Sequence, residues 1–441
     1  MKIALVAMSG IRVCDAELLR LGLTLPGFVE RSKTIASLPS LGLITLAALT
    51  PSEHEVRYFE VRDLRPEPDL SGFDLVAISS YSAQIGEAYA LASRLRESGA
   101  RVVLGGPHVS VLPEEALRHS DAVVIGEGEP VWPDVVNDAA RGRLAGAYGS
   151  LDGAYDLAQA PVPAFELLDI PRYNRLTVQT SRGCPHLCEF CAGSVLFCPR
   201  YKQKPVARVL AEVDRILELW GRPFLEFADD NALVRGTYWK ELLPALAPRR
   251  IRWFAETDLS VADDRSLLGM MRESGCAQVL IGLESPVEAG LGGVELRSDW
   301  KLRRWARYRE AIARIQSEGI AVNGCFVIGL DGHTGEIFDQ VLEFVETSGL
   351  QEVQVTIQTA FPGTPLYARL AREGRILEDG RWDKCTLFDV NFAPRDMSAD
   401  TLARGFRDLA TKLYSVERTR RRRDGFRRQL RDLWERRVTP S

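Results

Sequence analysis

Three cysteines, Cys184, Cys188 and Cys191, stand in a C-x-x-x-C-x-x-C spacing within the stretch Thr180-Ser181-Arg182-Gly183-Cys184-Pro185-His186-Leu187-Cys188-Glu189-Phe190-Cys191. Gly183 and Pro185 make the stretch a tight loop, so three thiolates converge on one side of a single metal centre. Three is the informative number. A structural zinc or a closed iron–sulfur cluster takes four protein ligands, so a three-cysteine site leaves one metal position open for a substrate or cofactor. The alternatives are three ordinary cysteines, or a zinc loop whose fourth ligand lies elsewhere, with Cys198, His186 and Cys385 as the candidates. The loop follows the apolar run Leu176-Thr177-Val178-Gln179 and precedes a long alternation of strand and helix patterns, which favours the cluster.

That spacing, with the aromatic Phe190 just before the third cysteine, resembles the radical S-adenosylmethionine (radical SAM) enzymes. The resemblance implies a [4Fe–4S] cluster on Cys184, Cys188 and Cys191, with S-adenosylmethionine chelated to the open iron. An electron from the cluster then breaks the sulfonium C–S bond to give a 5′-deoxyadenosyl radical. It also implies an electron donor of the flavodoxin or ferredoxin type.

The elements that must position this loop alternate regularly. Strand patterns fall at Thr177–Thr180, Phe224–Phe227, Ile251–Ala255, Gln278–Leu283, Ala321–Ile328 and Val353–Gln358, with helical patterns between them. Six such units suit a partial (β/α)6 TIM barrel over residues 176–369, with its site at the carboxyl ends of the strands. The cysteine loop falls just past the first of those strands. Asp229 and Asp230 follow the second, where the family contacts the methionine amino group. An ionised carboxylate suits an ammonium, and a helix N-cap is an equal alternative for both residues. Glu284 ends the fourth strand, where relatives hold the ribose hydroxyls, and Gly329 closes the segment that resembles the family's adenine-packing strand.

Residues 1–140 alternate in the same way, with strands at Ile3–Ala7, Val56–Val61, Leu75–Ser79, Val102–Leu104 and Ala122–Ile125. Short apolar runs between helices predict a doubly wound, Rossmann-like parallel sheet. Its strand ends are rich in small residues: Ser79-Ser80-Tyr81, Gly105-Gly106-Pro107-His108 and Gly126-Glu127-Gly128-Glu129. Together they resemble the B12-binding domain that precedes many radical SAM modules, which implies cobalamin held by Ser79, Ser80, Tyr81, Gly105, Gly106, His108, Gly126, Glu127 and Gly128. The segment has no D-x-H-x-x-G, the motif whose histidine replaces cobalt's lower base. Cobalt is therefore expected to lack that ligand, or the domain to be vestigial; for His108 a hydrogen-bonding role outweighs ligation. Residues 141–175, interrupted by Pro161, Pro163 and Pro171, read as a linker. Residues 370–441 read as a helical region capping the barrel mouth and ending in an Arg-rich tail.

Composition fits a soluble enzyme. Of 441 residues, 46% are hydrophobic and 26% charged, and no window approaches the roughly 20 apolar residues of a membrane span. The opening Met1–Met8 is expected as a first strand rather than a signal peptide. Beyond the motif, Cys14, Cys198, Cys276, Cys325 and Cys385 are scattered, which argues against a disulfide framework and for a reducing cytoplasm. Net charge is −4, yet residues 416–441 carry ten Arg against four Asp/Glu. A helix packing Phe426, Leu430, Leu433 and Trp434, with arginines outward, accounts for this tail better than a nucleic-acid contact. The leading function is methylation of an unactivated carbon of a small-molecule substrate. The alternative is oxidative cyclisation, ring formation or rearrangement by the same domains. A metal-binding regulator is a third reading, and it lacks both a clear fourth ligand and a basic domain.

Overall fold

The computed structural model describes residues 1–22, 38–66, 68–144, 146–193 and 200–438. Its first sheet comprises β1 (Lys2–Met8), β2 (Glu55–Val61), β3 (Leu75–Ser79), β4 (Arg101–Gly105), β5 (Ala122–Gly126) and β6 (Gly146–Ser150). All pairs are parallel, in the order β2-β1-β3-β4-β5-β6. Ile3 to Val6 are wholly buried because helices cover both faces. Leu43 and Val135 pack on one side, and Ile85, Leu91 and Val109 on the other. The chain winds to either side of β1, so the crevice for a ligand lies at the carboxyl ends beside it.

β6 corrects the linker expected over 141–175. Its sequence Gly-Ala-Tyr-Gly-Ser has no apolar alternation to announce a strand, and four of its five residues are exposed. It holds only as an edge, in register with β5 from Ala122↔Gly146 to Gly126↔Ser150.

The second sheet contains β7 (Leu176–Val178); after it come the two-residue strands β8 (Ser181–Arg182) and β9 (Lys202–Gln203). The sheet continues with β10 (Phe224–Phe227), β11 (Arg252–Thr257), β12 (Cys276–Glu284), β13 (Ala321–Ile328) and β14 (Glu352–Ile357). Neighbours in the order β14-β13-β12-β11-β10-β7 are parallel, and β7 does not pair with β14, so the barrel is partial. Period-2 alternation decides what faces where. Leu225, Phe227, Trp253, Val279 and Ile281 pack outward with helical residues such as Val209, Val213 and Ile216, which share one face of the helix Val206–Leu219. The inward positions Glu256, Glu284, Cys325 and Gln354 are left to line a cavity. β8 and β9 pair antiparallel, Arg182 opposite Lys202, and so frame the cysteine loop at both ends.

The C-terminal region divides in two. Residues 376–392 reach the barrel mouth: Leu387 accepts a bond from Ile357 N (2.7 Å), and Asp389 takes the backbone N–H of Cys14 (2.8 Å) and Asp15 (3.1 Å). The last helix, Val416–Val438, lies away from the mouth, a correction to the expected cap. Arg423 pairs with Glu352 at the start of β14 (2.5 Å), Arg418 pairs with Glu346, and Phe426 is buried. No helix among the described residues is long and apolar enough to cross a membrane.

Candidate active site

A cavity of about 270 Å³ opens at the carboxyl end of the barrel, lined by Cys184, Cys188 and Cys191 with Phe190, Asp230 and Glu284. Backbone bonds fix the loop that carries the thiols. Asp229 accepts from Thr180 N (2.7 Å), Thr180 Oγ1 (2.5 Å) and Ser181 N (2.8 Å), and Asp230 accepts from Gly183 N (2.8 Å). On the far side Glu189 N donates to Val294 O (2.9 Å) and Leu296 N to Leu187 O (2.8 Å), while Arg369 forks onto the Glu189 carboxylate. Asp229 is thus consumed in anchoring the loop and does not line the cavity; Asp230 does both. Burial pushes the Asp229 carboxyl up to about 6, although the bonds from Thr180 and Ser181 oppose it.

Cys184, Cys188 and Cys191 line one cavity together, and three thiolates are the donor set of a cuboidal cluster that leaves one iron open. Of the alternative fourth ligands, His186 is held by Asp258 (Nε2–Oδ2 3.1 Å) and packs on Trp300. Cys385 is buried, with its thiol toward Ala360 O. Cys198 lies outside the described residues.

Glu284 sits at a bulge in β12 with φ of 62°, a left-handed conformation rare for glutamate. Such backbone persists only where surrounding contacts impose it, and it clusters at ligand sites. The contact here is Lys301, which sequence analysis missed. Its ammonium lies 2.9 Å from Glu284 Oε1 and donates to Gly282 O at 2.6 Å, and both side chains are over 90% buried. Burial opposes the charge on Lys301, yet the Glu284 carboxylate beside it holds its pKa well above the usual range. Nothing in a Trp-Lys-Leu-Arg-Arg surface pattern announces an inward lysine. Asn231 links Cys184 Sγ (3.6 Å) to Asp258 Oδ2 (2.9 Å). Burial disfavours the Asp258 anion, but bonds from His186, Ser260 and Asn231 hold its pKa well below the carboxylate range. Gly329 does not line the cavity. A side chain there would meet Leu402 at 2.9 Å, so this glycine serves packing.

Asn231, Thr257 and Gln354 line this cavity, and their Oδ1, Oγ1 and Oε1 atoms are buried without partners among the described residues. Buried polar atoms rarely stay unpaired, so the cavity suits a ligand rich in hydrogen-bonding groups. Glu256 lines it too. Burial, reinforced by Glu226 and Asp230, pushes its carboxyl up from 4.5 to about 8. A raised acid stabilises the fold most below its unfolded pKa, and this contribution is lost as pH climbs towards the folded value. Glu256→Gln is therefore expected to melt increasingly above the wild type between pH 6 and pH 9. The gap should widen by roughly 4 °C or more, from about 1.4 kcal/mol per pKa unit and 2–4 °C per kcal/mol. Parallel melting curves across that range would remove the perturbed carboxyl.

A second cavity, about 340 Å³, lies at the carboxyl ends of β3, β4 and β5. Ser79, Gly105, Gly106, Gly126, Glu127 and Gly128 line it, over a floor of Leu43, Leu46, Val103, Val124 and Trp132. A side chain at Gly105 would project into this space, its nearest neighbour being Val124 at 3.7 Å. Gly106 has φ of 97°, and a Cβ there would strike Ser79 Oγ at 2.8 Å. Glycine is thus required at one position by backbone and at the other by access. Ser80 and Tyr81 are not among the lining residues: Ser80 is buried with its hydroxyl on Tyr81 O, and Tyr81 is 54% exposed. His108 points away, fully buried between Ser82 Oγ (3.0 Å) and Glu115 Oε1 (3.3 Å). The hydrogen-bonding role favoured for His108 is what these two contacts show, and the short helix Pro107–Val111 carries it into the core and away from cobalamin's cavity. Gln179, Arg182 and Asp230 complete the wall from the barrel side, and Asp230 faces both cavities.

Comparison with known proteins agrees with this geometry. Residues 178–346 match the Radical SAM superfamily, 37–136 the B12 binding domain, and 364–439 a domain of unknown function, DUF4070. An uncharacterized methyltransferase of Synechocystis sp. is 30% identical over 368 residues, covering 81% of this chain and 67% of that one. The bacteriochlorophyllide d C-12(1)-methyltransferase of Chlorobaculum tepidum is 27% identical over 393 residues, with 87% and 84% covered. The radical S-adenosylmethionine methyltransferase TsrM of Kitasatospora setae, solved with cobalamin and a [4Fe–4S] cluster, shares the fold. It superposes with a TM-score of 0.66 at 15% identity, covering 94% of this chain and 89% of that one. With both cavities placed at the strand ends its sequence predicts, the chain belongs to the radical SAM enzymes that carry an N-terminal B12-binding domain.

Proposed function

We propose that this protein is a cobalamin-dependent radical SAM methyltransferase acting on an unactivated carbon of a small-molecule substrate. The observation that carries the reading is the shared wall: Asp230 lines both cavities, so two cofactors would meet at one place. When bound, the cluster and S-adenosylmethionine supply a carbon radical that takes a substrate hydrogen, and cobalamin supplies the methyl group. The division follows the two sheets, with cobalamin held within residues 1–140 and the cluster within 176–369.

Cys184, Cys188 and Cys191 would hold the cluster beside the space left for S-adenosylmethionine. Asp230, beside Asn231 in the cavity wall, would receive its ammonium through a charge-assisted contact. Glu284, fixed by Lys301, accepts hydroxyl donors, and Phe190 closes the apolar side beside Val327. Ser79, Gly105, Gly106, Gly126 and Gly128 offer only backbone and small groups to cobalamin, and Glu127 closes that wall. Residues 376–392 would shield the mouth from water, and an electron carrier of flavodoxin or ferredoxin type would be the reductant the cluster needs.

Anaerobic reconstitution with iron, sulfide and hydroxocobalamin tests the reading. About four iron and four sulfide per chain are expected, as one cluster requires, with one cobalamin. Supplied with its substrate and an electron donor, the loaded protein should form 5′-deoxyadenosine and S-adenosylhomocysteine. A full cluster with no cobalamin would overturn methylation and leave a vestigial first domain.

A further inference from the structure

The two legs of the cysteine loop are clamped to one carboxylate of the cobalamin cavity. Arg182, on β8, donates to Glu127 Oε1 at 2.6 Å and also grips Glu129. Lys202, opposite it on β9, reaches both oxygens of the same Glu127 at 2.6 and 2.7 Å, and bonds Gly153 O (3.0 Å) and Tyr155 O (2.8 Å). Glu127 in turn accepts from Tyr155 N at 3.0 Å. Cys184, Cys188 and Cys191 therefore lie between Arg182 and Lys202, two cations that end on the loop after β5. That loop, from Gly126 to Glu129, forms part of the wall of the second cavity, the one assigned to cobalamin.

The four charged side chains expose only 6–20% of their surface. Pulling one partner away leaves an uncompensated buried charge, which is strongly unfavourable, so the group moves together or not at all. Arg182 contributes a planar fork with two carboxylate partners, which fixes direction as well as distance. A ligand that shifts Gly126–Glu129 on entering the cobalamin cavity must shift both legs of the cysteine loop.

We propose that the Arg182–Glu127–Glu129–Lys202 clamp couples the two cofactor sites, so that filling one sets the geometry and affinity of the other. This rests on the cofactor assignment above. Arg182 and Lys202 act as positioning residues: neither needs to touch a reacting atom. Coupling of this kind is reciprocal, cobalamin affecting cluster and S-adenosylmethionine binding by the same factor as the reverse.

The test measures hydroxocobalamin Kd by equilibrium absorption titration on full-length protein, cluster-loaded and cluster-free. Wild type is expected to differ about tenfold between the two states, within the usual range of such couplings. The double variant Arg182→Gln/Glu129→Gln removes one cation and one anion together, so it strands no charge. It should still bind both cofactors, with the tenfold ratio reduced to within about twofold of unity. Arg182→Lys keeps the charge and loses the fork, and should give an intermediate ratio while folding as wild type. An unchanged ratio in both variants, or no difference between the two wild-type states, would overturn the clamp. Wild type that takes up no cobalamin at all would instead sink the cofactor assignment, and the coupling with it.

Discussion

Exchanging Cys184, Cys188 or Cys191 for Ser, one at a time, is expected to abolish the cluster and reduce 5′-deoxyadenosine formation to background. Iron should fall from about four per chain to well below one, since a cubane does not persist on two thiolates. The fold should survive. The loop's backbone is held by Asp229, Asp230, Val294 and Leu296, none of which needs the metal. Melting temperatures measured without iron should therefore match wild type within a few degrees. The informative control is Cys325→Ser, because Cys325 lines the same cavity on β13. It should retain full iron, as should Cys385→Ser, whose buried thiol already faces Ala360 O and Asn391. Cys198→Ser decides the remaining alternative. Loss of iron there would point to a closed four-ligand site and would refute the open cluster.

Much of this was readable from local signals. The six barrel strands announce themselves by apolar runs, and the cysteine spacing states its own ligand count. Five of the six strands of the first sheet are equally plain, with Ile3–Val6 and Leu75–Ile78 apolar on both faces because helices cover both. Edge strand β6 escapes because a strand with four exposed residues needs no apolar period. Residue types at strand ends were also informative, but not which way each one turns. Asp229 and Asp230 are neighbours with identical chemistry, yet one is spent on Thr180 and Ser181 while the other faces both cavities. His108 and Gly329 carry plausible positions into packed interiors. Lys301 and Lys202 were invisible because each is defined by a distant partner, Glu284 or Glu127. Pairing across tens of residues leaves no trace in the period or spacing of one chain.

Lys301→Met should cost about 3–5 kcal/mol, the usual penalty for stranding one member of a buried ion pair. Methionine keeps most of the lysine's length and removes its charge, so the loss falls on Glu284, whose carboxylate would remain over 90% buried beside Gly282. At 2–4 °C per kcal/mol, the barrel's melting temperature should drop by roughly 6–20 °C in calorimetry. The double variant Glu284→Gln/Lys301→Met removes both charges and should recover most of that stability, because paired removal from an interior is often near neutral. Binding should not recover. If Glu284 receives the hydroxyl groups of S-adenosylmethionine and Lys301 only fixes it, both variants should bind the cluster-loaded protein's cosubstrate at least about tenfold more weakly, the loss of one good charge-assisted bond. Equilibrium dialysis with S-adenosylmethionine measures this independently of turnover. A double variant with wild-type affinity would reduce the pair to a structural brace. A single variant that melts normally would mean that the φ of 62° at Glu284 is imposed by something other than its lysine.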